Sequence, residues 1–297
     1  MLGRHIRLCI KYYCASVNYT ESKFKKFILM LFNMLPAIVN RKYTLPYVEM
    51  DITSRCTLNC KECSHFIPLR RKLGDNRDYS TESLIENIDL LLPLTNRILL
   101  FRLLGGEPFL HRNLHIIVEK LINEKKVKHI QISTNGTIVP QYENFEILKN
   151  RKVSVDISNY GELSTKRNDL IKLFKISKIR YKASDDLPLW RETGGFNKRH
   201  YSKREMHELF YKCKSASCKT LFEQKLWLCP IALHGFYLKA LKKNEYEYID
   251  LSSNKKQFWK ELNDLYENPE NKTSCYYCNG NNFNNLKQVP CAEQITY

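Results

Sequence analysis

Residues 47–63 read YVEMDITSRCTLNCKEC, an apolar stretch that runs directly into a loop with three cysteines. The apolar and β-branched residues of 47–52 predict a buried strand. Cys56, Cys60 and Cys63 follow within eight residues, and thiolates are soft ligands that select zinc or iron–sulfur clusters. The stretch therefore predicts a metal centre immediately after the first strand of the fold.

The number of cysteines in this loop bears on the kind of metal centre. A structural zinc site closes with four protein ligands, so zinc would require a fourth ligand such as His65. A cubane cluster held by three cysteines instead leaves one iron open. That iron can chelate the amino and carboxylate groups of a methionine-type ligand. Spacing alone leaves both alternatives open.

From residue 46 onward, strand and helix patterns alternate with short turns, and Ser80 is the predicted N-cap of the first helix. The predicted strands cover residues 47–52, 98–104, 129–133, 152–158 and 179–182, and the predicted helices between them cover 80–92, 113–123, 141–149 and 165–175. Repeated strand–helix units predict a parallel sheet with right-handed crossovers. The predicted fold class is α/β, with a partial (β/α)6 barrel of TIM type.

Unusual residues follow the predicted strands at the ends where such barrels carry their function. GGEP at 105–108 follows the second strand, TNG at 134–136 the third, and SNYG at 158–161 the fourth. The two glycines allow a close approach of the backbone, and Glu107 can pair with an ammonium group. These segments predict a site beside the cysteine loop.

The cysteine loop and the GGEP segment together resemble the radical SAM superfamily. CTLNCKEC matches its CxxxCxxC signature, and GGEP resembles its GGE motif, which contacts the amino group of S-adenosylmethionine (SAM). The resemblance covers residues 46–185 and implies that Cys56, Cys60 and Cys63 bind a [4Fe–4S] cluster. It also implies SAM contacts at Gly105, Gly106, Glu107, Asn135 and Ser158.

The resemblance implies the chemistry as well. An electron from the cluster cleaves SAM, and the 5′-deoxyadenosyl radical that results abstracts a hydrogen atom from a substrate. A flavodoxin or ferredoxin is the implied electron donor. Glu62 departs from the family pattern, because an aromatic residue that touches the adenine often stands before the third cysteine.

A second group of cysteines lies in the last third of the chain, at Cys213, Cys218, Cys229, Cys275, Cys278 and Cys291. So many cysteines in a short segment indicate metal, and a zinc ribbon is one alternative. The arrangement, with a hairpin predicted over 221–228 and a CxxC pair at 275–278, resembles the SPASM and twitch domains of radical SAM enzymes. It implies an auxiliary [4Fe–4S] cluster on Cys229, Cys275 and Cys278, with Cys213 or Cys218 as the fourth ligand and Cys291 unassigned.

The chain of 297 residues, 43% of them apolar, is long enough for one large α/β barrel. We predict three parts: a basic helical extension at 1–44, a radical SAM core at 45–199 and an auxiliary-cluster domain at 200–297. The formal net charge of +17 is partly concentrated in 1–44, but no dense basic stripe favours a nucleic-acid partner. The apolar run at 27–39 is too short to span a bilayer, so a packed helix is favoured over peripheral membrane contact.

Eleven cysteines without a signal-peptide pattern predict reduced thiols and a cytoplasmic location. Cys9 and Cys14 are predicted to be buried or idle thiols. Five further residues near the predicted site regions are assigned structural roles: His111, His115, Trp190, Arg191 and His234.

The auxiliary cluster favours a net oxidation, because it can accept an electron from a substrate radical. Segment 1–44 is too short for a complete peptide-recognition domain, so a small polar or carbohydrate-type substrate is favoured. One alternative is a radical SAM maturase of a ribosomally made peptide. An alternative of a different class is a non-catalytic, zinc-stabilised module that binds RNA or a membrane.

Overall fold

The computed structural model describes residues 4, 5, 7–9, 11, 43–281 and 287–296. Most of the predicted N-terminal extension, including Cys14 and the apolar run at 27–39, lies outside the described residues, as does most of the Asn-rich segment 279–285. The described residues from 4 to 11 are helical. Arg4 packs this segment onto the C-terminal part of the chain, because its guanidinium donates to the carbonyl of Phe210 at 2.7 Å. No helix within the described ranges is long and apolar enough to cross a membrane.

The described strands are β1 (Thr44–Thr53), β2 (Arg97–Gly105), β3 (Ile130–Thr134), β4 (Val153–Ile157), β5 (Tyr181–Ala183), β6 (Trp190–Arg191), β7 (Lys219–Phe222), β8 (Lys225–Trp227), β9 (Tyr248–Asp250) and β10 (Gln288–Val289). The main sheet has the order β5-β4-β3-β2-β1-β7-β8-β9. Strands β5 to β1 and β7 are parallel, whereas β8 and β9 are antiparallel. The prediction of an α/β fold with a parallel sheet is confirmed.

The described helices are α1 (Ile67–Lys72), α2 (Thr81–Leu94), α3 (Leu114–Asn123), α4 (Tyr142–Ile147), α5 (Arg167–Ile176), α6 (Lys203–Lys212), α7 (Pro230–Tyr237) and α8 (Lys255–Glu267). Ser80 caps α2 as predicted, since its hydroxyl accepts a hydrogen bond from the N–H of Ser83. Helix α2 buries Leu84, Ile88 and Leu91 at helical spacing. This apolar stripe anchors the helix in the core of the protein.

Strand β1 lies between β2 and β7, and every one of its ten residues is buried. Two of these residues carry carboxylates, which must find partners in the core. Glu49 accepts hydrogen bonds from the hydroxyls of Tyr47 and Thr220, at 2.7 and 3.0 Å. Asp51 is bound by Arg70 at 2.9 Å. The central strand therefore brings charged groups to the interior, next to the cysteine loop.

The hairpin predicted over 221–228 is present as β7 and β8, with Glu223 and Gln224 at positive φ in its turn. Strand β7 also pairs in parallel with β1 and supplies the sixth parallel strand of the sheet. The sheet therefore draws strands from both sides of the domain boundary that we predicted near residue 200.

One pH effect on stability follows from His129, which is buried just before β3, with its Nε2 2.8 Å from the Ser154 hydroxyl. Burial, helped by nearby Arg180, lowers the pKa of His129 to about 4. An unfolded histidine titrates near pH 6.5, so between these values the unfolded state binds more protons. We expect acidification from pH 6.5 to pH 4 to remove up to about 3 kcal/mol of unfolding free energy through this group.

Urea unfolding at a series of pH values tests this expectation on wild-type and H129Q protein under anaerobic conditions. The free energy of unfolding should fall more steeply with acidification in the wild type than in H129Q. Equal slopes for the two proteins would contradict it.

Candidate functional site

The cysteine loop leaves the C-terminal end of β1, where the sequence predicted it. Cys60 is buried, and Cys56 and Cys63 are half-buried. Arg71 in α1 holds the loop closed, since its guanidinium donates to the carbonyl of Cys56 at 2.7 Å. Because α1 follows the loop directly, the loop and the Arg71 side chain that binds it belong to one local segment.

The C-terminal segment folds back onto this loop, which the sequence did not predict. The side chain of Gln294 accepts a hydrogen bond from the N–H of Asn59 at 2.7 Å, and its amide lies 3.3 Å from the sulfur of Cys60. Leu58, Cys60 and Ala292 pack together as a small apolar cluster. Cys291, unassigned from the sequence, therefore lies beside the first cysteine group, and its thiol raises the pKa of Cys60 along with burial.

The GGEP segment lies against the cysteine loop. A Cβ on Gly106 would collide with the carbonyl oxygen of Arg55 and crowd Cys56. Gly105 has a φ of +125°, and a Cβ there would collide with the Thr53 carbonyl. Only glycine therefore permits β2 to end this close to the loop.

The Glu107 side chain is fully buried and ties the ends of β2 and β3 together. Its carboxylate accepts hydrogen bonds from the Thr134 hydroxyl, the Asn135 N–H and the Phe109 N–H, at 2.8, 2.8 and 3.1 Å. Burial raises the pKa of Glu107 to about 7, although these donors favour the charged form. The carboxylate thus positions the loop that follows β3. Contact between Glu107 and the SAM amino group stays a prediction.

Asn135 and Ser158 lie at neighbouring strand ends, as predicted. The Asn135 amide donates to the Thr57 hydroxyl at 3.0 Å and lies 3.6 Å from the sulfur of Cys56. Ser158 follows β4 directly, and its N–H donates to the Thr134 carbonyl at 3.0 Å. Asn135 therefore contacts the cysteine loop itself, whereas Ser158 lies one strand further along the sheet.

Four cysteines of the second group line one small cavity: Cys213, Cys229, Cys275 and Cys278. They come from the end of α6, the start of α7 and the turn at 273–277. Burial raises the pKa of Cys229, Cys275 and Cys278. The structure thus brings together residues that are far apart in the sequence.

Cys218, the other candidate for the fourth ligand, does not line this small cavity. It borders a separate cavity together with Tyr47, Glu49 and Arg102. Burial, reinforced by the Glu49 carboxylate, raises the pKa of the Cys218 thiol to about 12. The placement favours Cys213 over Cys218 as a partner of the other three cysteines.

The cavity beside Cys218, which we call the central cavity, has a volume of about 310 Å³. Glu62, Ser64 and His65 border it on the side of the first cysteine group. Ser215 and Pro230, which are close in sequence to Cys213 and Cys229, border it on the side of the second group. The central cavity therefore lies between the two groups.

Trp190 and Arg191, to which the sequence analysis gave structural roles, also line the central cavity. They form the short strand β6, which pairs with β10. Glu62 is held at the cavity wall by Thr193, whose N–H and hydroxyl both donate to its carboxylate, at 2.8 and 2.6 Å. Sequence patterns contain no signal for these contacts, because β6 is two residues long.

A buried charged cluster connects β1, the cysteine loop and α7. The Asp51 carboxylate lies 2.9 Å from His65 Nδ1 and from Arg70 Nη1, and 3.4 Å from His234 Nε2. Although burial alone would raise it, these partners hold the pKa of Asp51 well below its usual range. His234 was assigned a structural role from the sequence, and this contact fixes α7, next to Cys229, against the first cysteine group.

One compact set of potential metal ligands lies in the part of the chain that the structure describes. Asp51, His65 and His234 each offer one ligand atom, and these atoms all lie within 4.8 Å of one another.

Comparison with known proteins finds a family model that covers the first cysteine group. Residues 50–167 match the model of the Radical SAM superfamily. A 7,8-dihydro-6-hydroxymethylpterin dimethyltransferase from Methanocaldococcus jannaschii is 27% identical over 127 residues, which cover 43% of this chain and 24% of the relative. A GTP 3′,8-cyclase from Alkaliphilus oremlandii is 28% identical over 135 residues, which cover 43% of this chain and 41% of the relative.

This chain therefore spans less than half of the length of either curated relative. Among solved structures, BtrN in complex with AdoMet and 2-DOIA aligns with a TM-score of 0.47 and 15% identity, over 86% of this chain and 97% of BtrN.

The matched residues run from β1 to the start of α5 and include the cysteine loop, the GGEP segment, Asn135 and Ser158. This part of the chain matches the radical SAM superfamily model. Members of the superfamily are enzymes that use SAM and a [4Fe–4S] cluster.

Proposed function

We propose that this protein is a cytoplasmic radical SAM oxidoreductase that acts on a small polar or carbohydrate-type molecule. The observation that carries the proposal is the central cavity, which lies between two groups of cysteines. A substrate in this cavity would be near both groups at once. One group would start the reaction and the other would receive the electron that an oxidation releases.

Cys56, Cys60 and Cys63 suit a cluster that binds SAM. Burial raises the pKa of Cys56 to about 12 and that of Cys60 to about 11, so these thiols stay protonated at neutral pH unless cations stabilise the thiolates. The irons of a cubane provide that charge, and three ligands leave one iron open. When bound, the cluster and SAM supply the 5′-deoxyadenosyl radical that takes a hydrogen atom from the substrate.

The chain's own residues shape the SAM site around this loop. Gly105 and Gly106 let β2 approach the loop closely, and Asn135 contacts both Thr57 and Cys56. Glu107 fixes the β3 loop that carries Asn135. We propose that SAM binds over these strand ends, with Ser158 at the border of its site.

Cys213, Cys229, Cys275 and Cys278 suit an auxiliary [4Fe–4S] cluster in a twitch-like arrangement, because four thiols converge on one cavity. Four cysteine ligands leave no iron open for a substrate, so such a cluster supplies a place for an electron. Flavodoxin or ferredoxin is the proposed donor for the first cluster.

The size and lining of the central cavity favour a small polar substrate. A volume of about 310 Å³ is at the lower end of small-molecule sites. Charged and hydroxyl groups, among them Glu49, Arg102 and Thr193, line its walls. These polar groups could bind the hydroxyl groups of a sugar or cyclitol, beside apolar residues such as Leu104, Leu189 and Ile231.

Deuterium transfer tests the reaction and the substrate class together. An extract of cells grown in heavy water is divided into a small-molecule filtrate and a peptide-containing retentate. Anaerobically reconstituted protein is reduced with dithionite and incubated with SAM and one of these two fractions. We expect 5′-deoxyadenosine to form and to carry deuterium only with the filtrate. Deuterium from the retentate alone would support the peptide maturase instead, and the absence of 5′-deoxyadenosine would contradict radical SAM activity.

A further inference from the structure

Arg191 lines the central cavity without an ion pair to a carboxylate of the described residues. Two arginines line this cavity, and Arg102 is bound by the Asp156 carboxylate at 2.5 Å. No carboxylate of the described residues forms an ion pair with Arg191, whereas Arg55, Arg70 and Arg102 each have one. Pairing of β6 with β10 fixes its backbone, with Arg191 opposite Gln288. A half-buried guanidinium that lines a cavity and has no carboxylate partner is suited to bind an anion.

Ser215 and Asn281 complete the surroundings of this guanidinium. The Ser215 oxygen accepts hydrogen bonds from the Asn281 amide at 2.8 Å and from Arg191 Nη2 at 3.4 Å. Because both contacts use the oxygen as acceptor, the hydroxyl proton of Ser215 remains available to donate to a ligand. The Oδ1 atom of Asn281 is buried and has no hydrogen-bond partner among the described residues. Since buried acceptors are generally hydrogen-bonded, this atom is suited to accept a hydrogen bond from a ligand.

We propose that Arg191, Ser215 and Asn281 form an anion subsite of the central cavity, and that the substrate is a polyhydroxylated molecule with a phosphate or carboxylate group. The inference rests on the proposed function, because it takes the central cavity as the substrate site. The guanidinium and the Ser215 hydroxyl hold the anionic oxygens. Asn281 Oδ1 accepts from a neighbouring hydroxyl of the same ligand.

The position of this subsite gives it a role in orienting the substrate. Arg191 lies on the side of the second cysteine group, since its guanidinium contacts Ser215, which follows Cys213 by two residues. Glu62, Ser64 and His65 border the opposite side of the cavity, next to Cys63. An anionic group held at Arg191 would therefore direct the rest of the molecule towards the first cysteine group.

Binding to the anaerobically reconstituted full-length protein, with SAM present, tests the subsite. Glucose 6-phosphate, glucuronate and glucose are titrated by calorimetry into wild-type, R191Q and S215A protein. R151Q is the matched control, because Arg151 is exposed and precedes β4, at the opposite end of the strands. We expect an anionic probe to bind wild-type and R151Q protein about tenfold or more tightly than R191Q, with a smaller loss in S215A.

The two anionic probes distinguish a phosphate from a carboxylate as the group that is bound. Equal affinity of an anionic probe for wild-type and R191Q protein, binding of neither anionic probe, or equal affinity for glucose and both anionic probes would overturn the subsite. Formation of 5′-deoxyadenosine is measured on the same samples. If wild-type protein forms none, the proposed function fails, whereas the titration still decides the subsite, because binding does not require SAM cleavage.

Discussion

Replacing Cys56 with alanine is expected to abolish 5′-deoxyadenosine formation and to lower the iron content from about eight to about four atoms per chain. Cys56 is the first of the three loop thiols, and its carbonyl is held by Arg71. With only Cys60 and Cys63 remaining, a cubane in this loop would have two irons without a protein ligand. The auxiliary cluster should keep its own four irons.

Iron and sulfide analysis of anaerobically reconstituted protein gives the first measurement, and chromatography of the SAM cleavage products gives the second. C9A is the matched control, since Cys9 is also buried but its sulfur lies 3.9 Å from the Thr44 carbonyl, at the start of β1. C9A should keep about eight irons and full SAM cleavage. Unchanged 5′-deoxyadenosine formation in C56A would refute the assignment of this loop.

The parts of this fold that follow local rules could be predicted from the sequence. The predicted strand at 47–52 is the centre of β1, and the helix predicted at 80–92 is α2, capped by Ser80. Apolar periodicity and caps act over a few residues, so they can be read along the chain. The cysteine loop and the GGEP segment were placed at adjacent strand ends for the same reason, because consecutive parallel strands end at one edge of a sheet.

The contacts that complete the site connect segments that are distant in sequence, and no local pattern encodes them. Gln294 reaches Asn59, and His234 reaches Asp51, across most of the chain. Strand β7 joins β1 although its four residues include the buried Lys219, which a strand pattern does not favour in a core. The sequence also left the choice between Cys213 and Cys218 open, whereas packing directs them to different cavities.

The largest effect expected in the second cysteine group comes from Cys275. C275A should contain about four irons instead of about eight and should still cleave SAM, because the first loop is intact. It should lose net oxidation of the substrate, since the electron acceptor would be missing. This separation of SAM cleavage from product formation is the signature of an auxiliary cluster and would not arise from general misfolding.

Cys213 and Cys218 give this experiment its internal control. Cys213 lines the same small cavity as Cys275, whereas Cys218 faces the central cavity beside Glu49. C213A should therefore lose the same four irons as C275A, and C218A should keep about eight. Loss of iron in C218A but not in C213A would reverse the ligand assignment.

Retention of all irons in C213A, C218A and C275A would mean that this cavity holds no cluster, because loss of a cysteine ligand should destabilise a cluster bound there. The oxidation would then need another electron acceptor, and the central cavity would lie beside one cluster instead of between two.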